Sequence, residues 1–319
     1  ATMTVGSLGY NGTYDGNPHG LVAEASVPGM TITHSTSPTG SFTSASPEYT
    51  NAGTYTVYFK AVDPDGNYST ATGSAQIKIS KAVIKATAND QSMTYGDSAA
   101  TAAGVSYSGF APGENASVIS GSVGYNYYAG LTEVFIDSDL GAGSYAITPD
   151  VSGLTAANYT FTSANGTLMV NKAVLTVTAE NKLRTYGDTA AVDKSAAFTG
   201  FVSGDNLTTA GVIGGVTYKY YNGLTEVTVD QYLGAGSYTI VPGVGGLSSA
   251  NYTFVPANGA LTVSQKQLTV VPNDRSMTYG DTTTLTPAEG VTYQGFVNGE
   301  DAASAGISGD LYYSYMDGL

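Results

Sequence analysis

Thr94-Tyr95-Gly96-Asp97 returns as Thr185-Tyr186-Gly187-Asp188, 91 residues later, and as Thr278-Tyr279-Gly280-Asp281 after 93 more. A looser version, Thr13-Tyr14-Asp15-Gly16, stands near the start. Around each copy the same words follow in the same order, which makes the chain a tandem array. Ser108-Gly109-Phe110 matches Thr199-Gly200-Phe201, and Gly113-Glu114 matches Gly204-Asp205. Gly141-Ala-Gly143-Ser-Tyr145 matches Gly234-Ala-Gly236-Ser-Tyr238, and Ala157-Asn158-Tyr159-Thr160-Phe161 matches Ala250-Asn251-Tyr252-Thr253-Phe254. The period divides the 319 residues into a divergent module over 1–82, close copies over 83–173 and 174–266, and an incomplete copy over 267–319. The last copy stops within its Tyr-rich segment, Tyr313-Ser-Tyr315-Met316, so the chain reads as a fragment of a longer array.

No segment sustains a period of 3.6, and the nearest helical candidate is the short run from Glu114 to Ile119. The rest alternates with period two between turn signals, as in Thr54-Tyr55-Thr56-Val57-Tyr58-Phe59. The fold class expected is therefore all-β: a tandem array of small Ig-like β-sandwich modules, with β-grasp-like modules as the alternative. Asn165-Gly166 and Asn258-Gly259 fall between strand-like runs and predict hairpin turns.

The junctions have a fixed spacing. Ile77 and Ile79 are followed by Ile84 and Ala86, Leu168 and Val170 by Leu175 and Val177, Leu261 and Val263 by Leu268 and Val270. Each displacement is seven residues, an odd number, which on a continuous strand sets the two apolar groups on opposite faces, one core on each side. No Gly/Ser/Pro linker intervenes, so the spacing predicts a stiff stack. A rod of roughly 130 Å and a radius of gyration of about 35–40 Å follow, against about 20 Å for a compact chain of this length.

Composition excludes several functions. Acidic residues number 25 against 11 basic ones, a formal charge of −14 that suits neither nucleic acid nor an anionic membrane surface. No window offers a 20-residue apolar span. Cysteine is absent, so the modules stand on their cores without disulfides. His19 and His34 are the only histidines and neither recurs in another copy, leaving few candidates for a nucleophile and base. The chain reads as non-catalytic, with no cofactor. Asp63-Pro-Asp65-Gly-Asn67 opens like a calcium loop, but Tyr68 and Ser74 stand where the EF-hand pattern wants Gly and Glu, so it reads as a turn and no metal site is expected.

The Tyr-Gly-Asp signature itself reads as architecture: Tyr plugs the module end while Gly-Asp turns the chain. The Tyr clusters leave one opening for binding. Tyr125 and Tyr127, like Tyr218 and Tyr220, flank a variable polar position, Asn126 or Lys219. The constant tyrosines should face inward. Tyr128 and Tyr221 then fall on the outward face, where they are the candidate ligand-binding residues, either packing across strands or stacking on sugars.

Taken in order, Thr-Tyr-Gly-Asp, Gly-Phe with Gly-Glu or Gly-Asp, Gly-Ser-Tyr, Ala-Asn-Tyr-Thr-Phe and Asn-Gly-Thr-Leu resemble the MBG-type repeats of bacterial surface proteins and adhesins, over residues 83–319. The first module resembles a related bacterial Ig-like repeat through Tyr14-Asp-Gly-Asn-Pro-His19 and Ala52-Gly-Thr-Tyr-Thr-Val57. The resemblance implies an extracellular protein at the bacterial surface in which such repeats form the stalk of an adhesin or filament. It implies no catalytic residues. Expected partners are host or environmental glycans or proteins, or other copies in a filament. A glycan- or mucus-binding module is the rival reading.

Overall fold

The computed structural model describes residues 2–314 and Met316, apart from Ala99, 101–103, Ser203 and 281–289. Asp281 and Tyr315, both read as parts of repeated words, lie outside the described residues. The chain forms two compact units, Ala1–Asn171 and Lys172–Leu319.

The first unit opens on a four-stranded sheet ordered Asn11–Thr13, Ala71–Ser80, Gly53–Val62 and Thr31–Ser35. Gly53–Val62 and Ala71–Ser80 form a long antiparallel hairpin. Its turn is held by Asp63, whose carboxylate accepts from the backbone N–H groups of Asp65, Asn67 and Tyr68 at 3.0, 2.6 and 2.9 Å. The acid that resembled the start of a calcium loop thus serves as the acceptor of a turn. Val57, Phe59 and Ala61 alternate into the core from one strand, and Ile77 and Ile79 from the other.

The sequence copy that follows builds two sheets. Five strands run in the order Gln91–Thr94, Gly166–Asn171, Gly143–Asp150, Gly124–Ala129, Thr132–Val134. Three more run Val105–Ser108, Ala82–Ala88, Tyr159–Ala164. Ala88 of the smaller sheet packs with Met93, Ile147, Leu168 and Val170 of the larger, so the two close face to face. The second unit repeats this with sheets of five and three strands, joined through Ala179, Tyr220, Ile240, Leu261 and Val263. Among the described residues of these two copies no long helix crosses a sheet. The Glu114 to Ile119 run contains only the 3-10 turn Ala116–Val118, capped by Asn115. The modules are therefore Ig-like β-sandwiches and not β-grasp domains. One detail recurs in all three: Tyr55, Tyr145 and Tyr238 each donate a hydroxyl to the carbonyl four residues upstream, at 3.0, 2.7 and 2.8 Å, as a tyrosine corner does.

Two expectations require correction. The Asn-Gly pairs do not turn hairpins. Tyr159–Ala164 lies parallel to Ala82–Ala88 in the smaller sheet, while Gly166–Asn171 joins the larger, so the chain crosses between sheets at Asn165. Glycine is needed there for space: a Cβ on Gly166 would sit 2.4 Å from the Ala88 carbonyl oxygen, and one on Gly259 2.3 Å from that of Ala179. Nor are there two separate cores at the junction within the first unit. Burial parity does switch, from Ile77 and Ile79 to Ala82 and Ile84 across exposed Ser80 and Lys81. Yet Ile77, Ile79, Ala82 and Ile84 belong to one continuous cluster, bridged by Tyr14 and Tyr159. The strand breaks at Lys81, and the two groups pack into the same core with Tyr14 and Tyr159.

Candidate functional site

The four-residue signature is a turn whose last side chain locks its first backbone group. Gly96 and Gly187 take φ of 98° and 87°, a left-handed backbone that favours glycine. Asp97 and Asp188 accept from the N–H groups of Thr94 and Thr185, both at 2.8 Å. The turn carries the preceding Tyr to the end of its module. In the opening module Tyr14 has this place, its N–H bonded to the Ser80 carbonyl at 2.8 Å; Tyr186 is bonded likewise to Ser264 at 2.9 Å.

Inside the first unit Tyr14 reaches into the next module. Its hydroxyl donates to Glu114 Oε1 at 2.6 Å. The other carboxylate oxygen, Oε2, accepts from the hydroxyl of Tyr159. That hydroxyl in turn accepts from the buried Ala111 N–H at 2.8 Å. The rings of Tyr14 and Tyr159 meet edge to face at 5.3 Å, and Phe110 adds a second edge contact at 6.1 Å. Gly109 lets the Gly-Phe turn come close: a Cβ there would stand 2.4 Å from the Val83 carbonyl oxygen. Asn158, next to Tyr159, accepts from Ala52 N–H of the opening module and donates to Asn51 Oδ1, each at 3.0 Å. One dipeptide, Asn158-Tyr159, thus clasps both modules.

The second unit carries the same parts. Tyr252 donates to Asp205 Oδ2 at 2.6 Å and accepts from Val202 N–H at 2.9 Å. Toward the incomplete copy, Tyr186 donates to Glu300 Oε1 at 2.6 Å, and Asn298 Nδ2 donates to the Gln231 carbonyl at 2.9 Å. Tyr279, the last tyrosine of the series, is fully exposed.

These hydroxyls are held protonated. The bond to Glu114, then burial, raises Tyr14 above the usual tyrosine value. Burial first, then Glu114, raises Tyr159, and the bond to Glu300 raises Tyr186. A carboxylate favours a hydroxyl donor over a second anion beside it.

Tyr128 and Tyr221, the residues singled out from sequence, lie away from this constellation. Both are half-buried on the larger sheet, Tyr128 between Glu133 and Ala146, Tyr221 between Glu226 and Thr239. Lys219 pairs with Glu226 at 2.9 Å beside Tyr221. Their neighbours Tyr125, Tyr127, Tyr218 and Tyr220 pack into the cores, as the alternation required. Sequence reasoning used Gly-Glu, Gly-Asp and Ala-Asn-Tyr as markers of the period and missed that they bond to one another. The available signal was the recurrence of an acid at 114, 205 and 300 in a chain with few charges.

The sequence model of the MBG domain (YGX type) matches residues 84–169 and 175–262, together more than half of the chain. The chain belongs to this family. Its two matched MBG repeats are the two complete sandwiches described above. No curated protein matches the chain. Solved structures with detectable similarity include Sidekick-1 immunoglobulin domains 1-5, at 12% identity over 83% of this chain and 59% of that one, with a TM-score of 0.19. A protocadherin gammaB7 EC3-6 cis-dimer structure is 15% identical over 90% of this chain and 76% of that one, with a TM-score of 0.26. SGBP-B of the Bacteroides ovatus mixed-linkage glucan utilization locus, in complex with a mixed-linkage heptasaccharide, is 14% identical over 85% and 71%, with a TM-score of 0.18.

Proposed function

We propose that these MBG repeats are the stalk of a bacterial surface adhesin or extracellular filament, a non-catalytic spacer that holds another domain outward. The observation that carries the reading is the pair of Tyr-to-carboxylate bonds, Tyr14 to Glu114 and Tyr186 to Glu300, which tie a module end to the next module by the same chemistry at two places. A spacer needs reproducible joints, and a charge-assisted bond set among packed rings supplies one. Modules bounded at 1–82, 83–173, 174–266 and 267–319 are the repeating lengths of this stalk. An acidic, cysteine-free composition suits an extracellular bacterial location. Small-angle scattering of the chain tests the reading: a radius of gyration of about 35–40 Å is expected, and about 20 Å overturns it.

The rival reading is a glycan-binding module, favoured by one observation: Tyr128 and Tyr221 stand beside Glu133 and Glu226 at the same place in both repeats. A glycan array decides. Reproducible binding abolished by Tyr128→Ala with Tyr221→Ala supports this reading, and binding that survives the double substitution removes it.

A further inference from the structure

Glu180, Lys182, Asp193 and Ser195 gather in the second repeat. The Lys182 ammonium donates to Ser195 Oγ at 2.6 Å, to Asp193 Oδ2 at 3.1 Å and to Glu180 Oε2 at 3.3 Å. Ser195 in turn donates to Glu180 Oε2 at 2.5 Å. Lysine and carboxylates are all held charged: the Asp193 bond raises Lys182, the Ser195 bond lowers Glu180, and the Lys182 bond lowers Asp193.

The sandwich forms without such a set. In the first repeat Asn89, Gln91 and Gly104 stand where Glu180, Lys182 and Ser195 stand in the second. The correspondence is fixed by matching backbone bonds, Asn89 N–H to the Gly104 carbonyl at 2.9 Å and Glu180 N–H to the Ser195 carbonyl at 3.1 Å. The same five-stranded and three-stranded sheets form around those neutral residues. The architecture therefore does not call for the charges.

Ser195 also lines a cavity of about 450 Å³ between the edge strand Ala196–Thr199 of the smaller sheet and Thr217–Asn222 of the larger, within the size range of a small-molecule cleft. Phe198 and Tyr218 supply one ring from each sheet, and Leu207, Val212 and Leu247 extend the apolar wall. Burial first, and then the nearby charge of Glu180, raises the Tyr218 hydroxyl, which ties this ring to the charged set. Lys194 lines the cavity as well. Gly215 keeps it roomy: a Cβ there would meet nothing within 4 Å, and the first repeat has Ser122 in its place.

The carboxylates of Glu180 and Asp193 offset the ammonium groups of Lys182 and Lys194. An anion would meet the first pair and a cation the second, so the balance suits a neutral ligand that both donates and accepts hydrogen bonds. A pyranose has that chemistry on its edge and apolar C–H groups on its faces, which match the rings of Phe198 and Tyr218. We infer that this cleft of the second repeat binds a neutral saccharide, with hydroxyls on Glu180, Asp193 and Ser195 and the sugar ring against Tyr218 and Phe198. The site is separate from Tyr221, which falls on the opposite face of the strand that carries Tyr218. It goes beyond the stalk reading, because a spacer needs no ligand.

The test follows amide NMR spectra of the labelled full chain during titration with cellobiose, maltose and lactose in turn, and with a sulfated heparin disaccharide as the anionic control. Saturable shifts at Ser195, Phe198 and Tyr218 are expected from at least one neutral sugar and not from the sulfated one. Glu180→Asn combined with Lys182→Gln and Ser195→Gly gives the second repeat the residues around which the first one folds. It should weaken binding about ten-fold or more, the loss of at least one charge-assisted hydrogen bond. Tyr221→Ala should leave binding unchanged. Should the triple variant disturb the fold, the shift map of the unaltered chain still decides. No saturable shift from any neutral sugar, equal or tighter binding of the sulfated disaccharide, shifts confined to Tyr128 and Tyr221, loss of binding on Tyr221→Ala, or undiminished binding by a folded triple variant would overturn the inference.

Discussion

Glu114→Ala removes the acceptor of two tyrosine hydroxyls at once, Tyr14 from the opening module and Tyr159 from its own. A hydrogen bond to a charged group contributes about 1.5–3 kcal/mol net. Glu114 is half-buried, which argues for the lower end of that range for each bond. The substitution should therefore cost the junction about 2–4 kcal/mol, by the same per-bond figure. Tyr14→Phe removes one of the two bonds and keeps the ring contact to Tyr159, so it should cost about 1–2 kcal/mol. Because Glu114→Ala already breaks that bond, the double variant should fall short of additivity by about 1–2 kcal/mol. Global melting is a poor assay for an array whose modules need not unfold together. Amide hydrogen exchange on peptides around Tyr14 and Ala111 reads the junction itself. At 1.4 kcal/mol per factor of ten, Glu114→Ala should speed exchange there about 30-fold or more. Acceleration below about three-fold, or strictly additive variants, would refute a shared-carboxylate joint.

Several further outcomes are expected. Tyr14, Tyr159 and Tyr186 are raised above the ordinary value of 10.0, so their contribution is complete below that pH and is lost as pH rises through the raised folded values; near-ultraviolet tyrosinate absorbance should show a late-titrating class that Glu114→Ala reduces. Asp15 is held at about 2, first by the Asn17 N–H and then by His19. Its contribution is present above the ordinary 3.8 and lost as pH falls toward 2, so Asp15→Asn should remove an acid transition followed by NMR in that window. Gly166→Ala places a Cβ 2.4 Å from a backbone carbonyl and should destabilise its repeat by about 1–3 kcal/mol in urea unfolding. His34 is buried, and among the described residues neither ring nitrogen has a hydrogen-bond partner, so His34→Leu should stabilise the opening module by about 1 kcal/mol, measured in the same way.

The strands were legible because period-two alternation is a local property: Val57, Phe59 and Ala61 announce a buried face whatever the partner. The Tyr-Gly-Asp turn was legible for the same reason, since its geometry depends on four adjacent residues. Partnership was not. Glycine after asparagine signals a hairpin when it needs positive φ, but Gly166 and Gly259 serve close approach to Ala88 and Ala179, residues 78 and 80 positions earlier in the chain. The clasp was hidden likewise: Tyr14 and Glu114 are 100 residues apart, and Tyr159 lies 45 beyond Glu114. Nothing near any of the three marks it as a member of a triad. Tyr128 and Tyr221 drew attention because they broke a local pattern, which is visible; Glu114 and Glu300 matter through distant contacts, which are not.

The joint within the first unit ties assembly to folding. Glu114 receives Tyr14 of the opening module and Tyr159 of its own together. The strand that begins at Tyr159 brings the second hydroxyl to that carboxylate, and its neighbour Asn158 bonds to Asn51 and Ala52 of the module behind. Closing a module and fastening its joint are then one event, since the same dipeptide completes both. A joint built this way is weakest while its acceptor module is open and strongest once that module has folded. In a chain with no disulfides, this couples the firmness of each joint to the folding of the module that follows it.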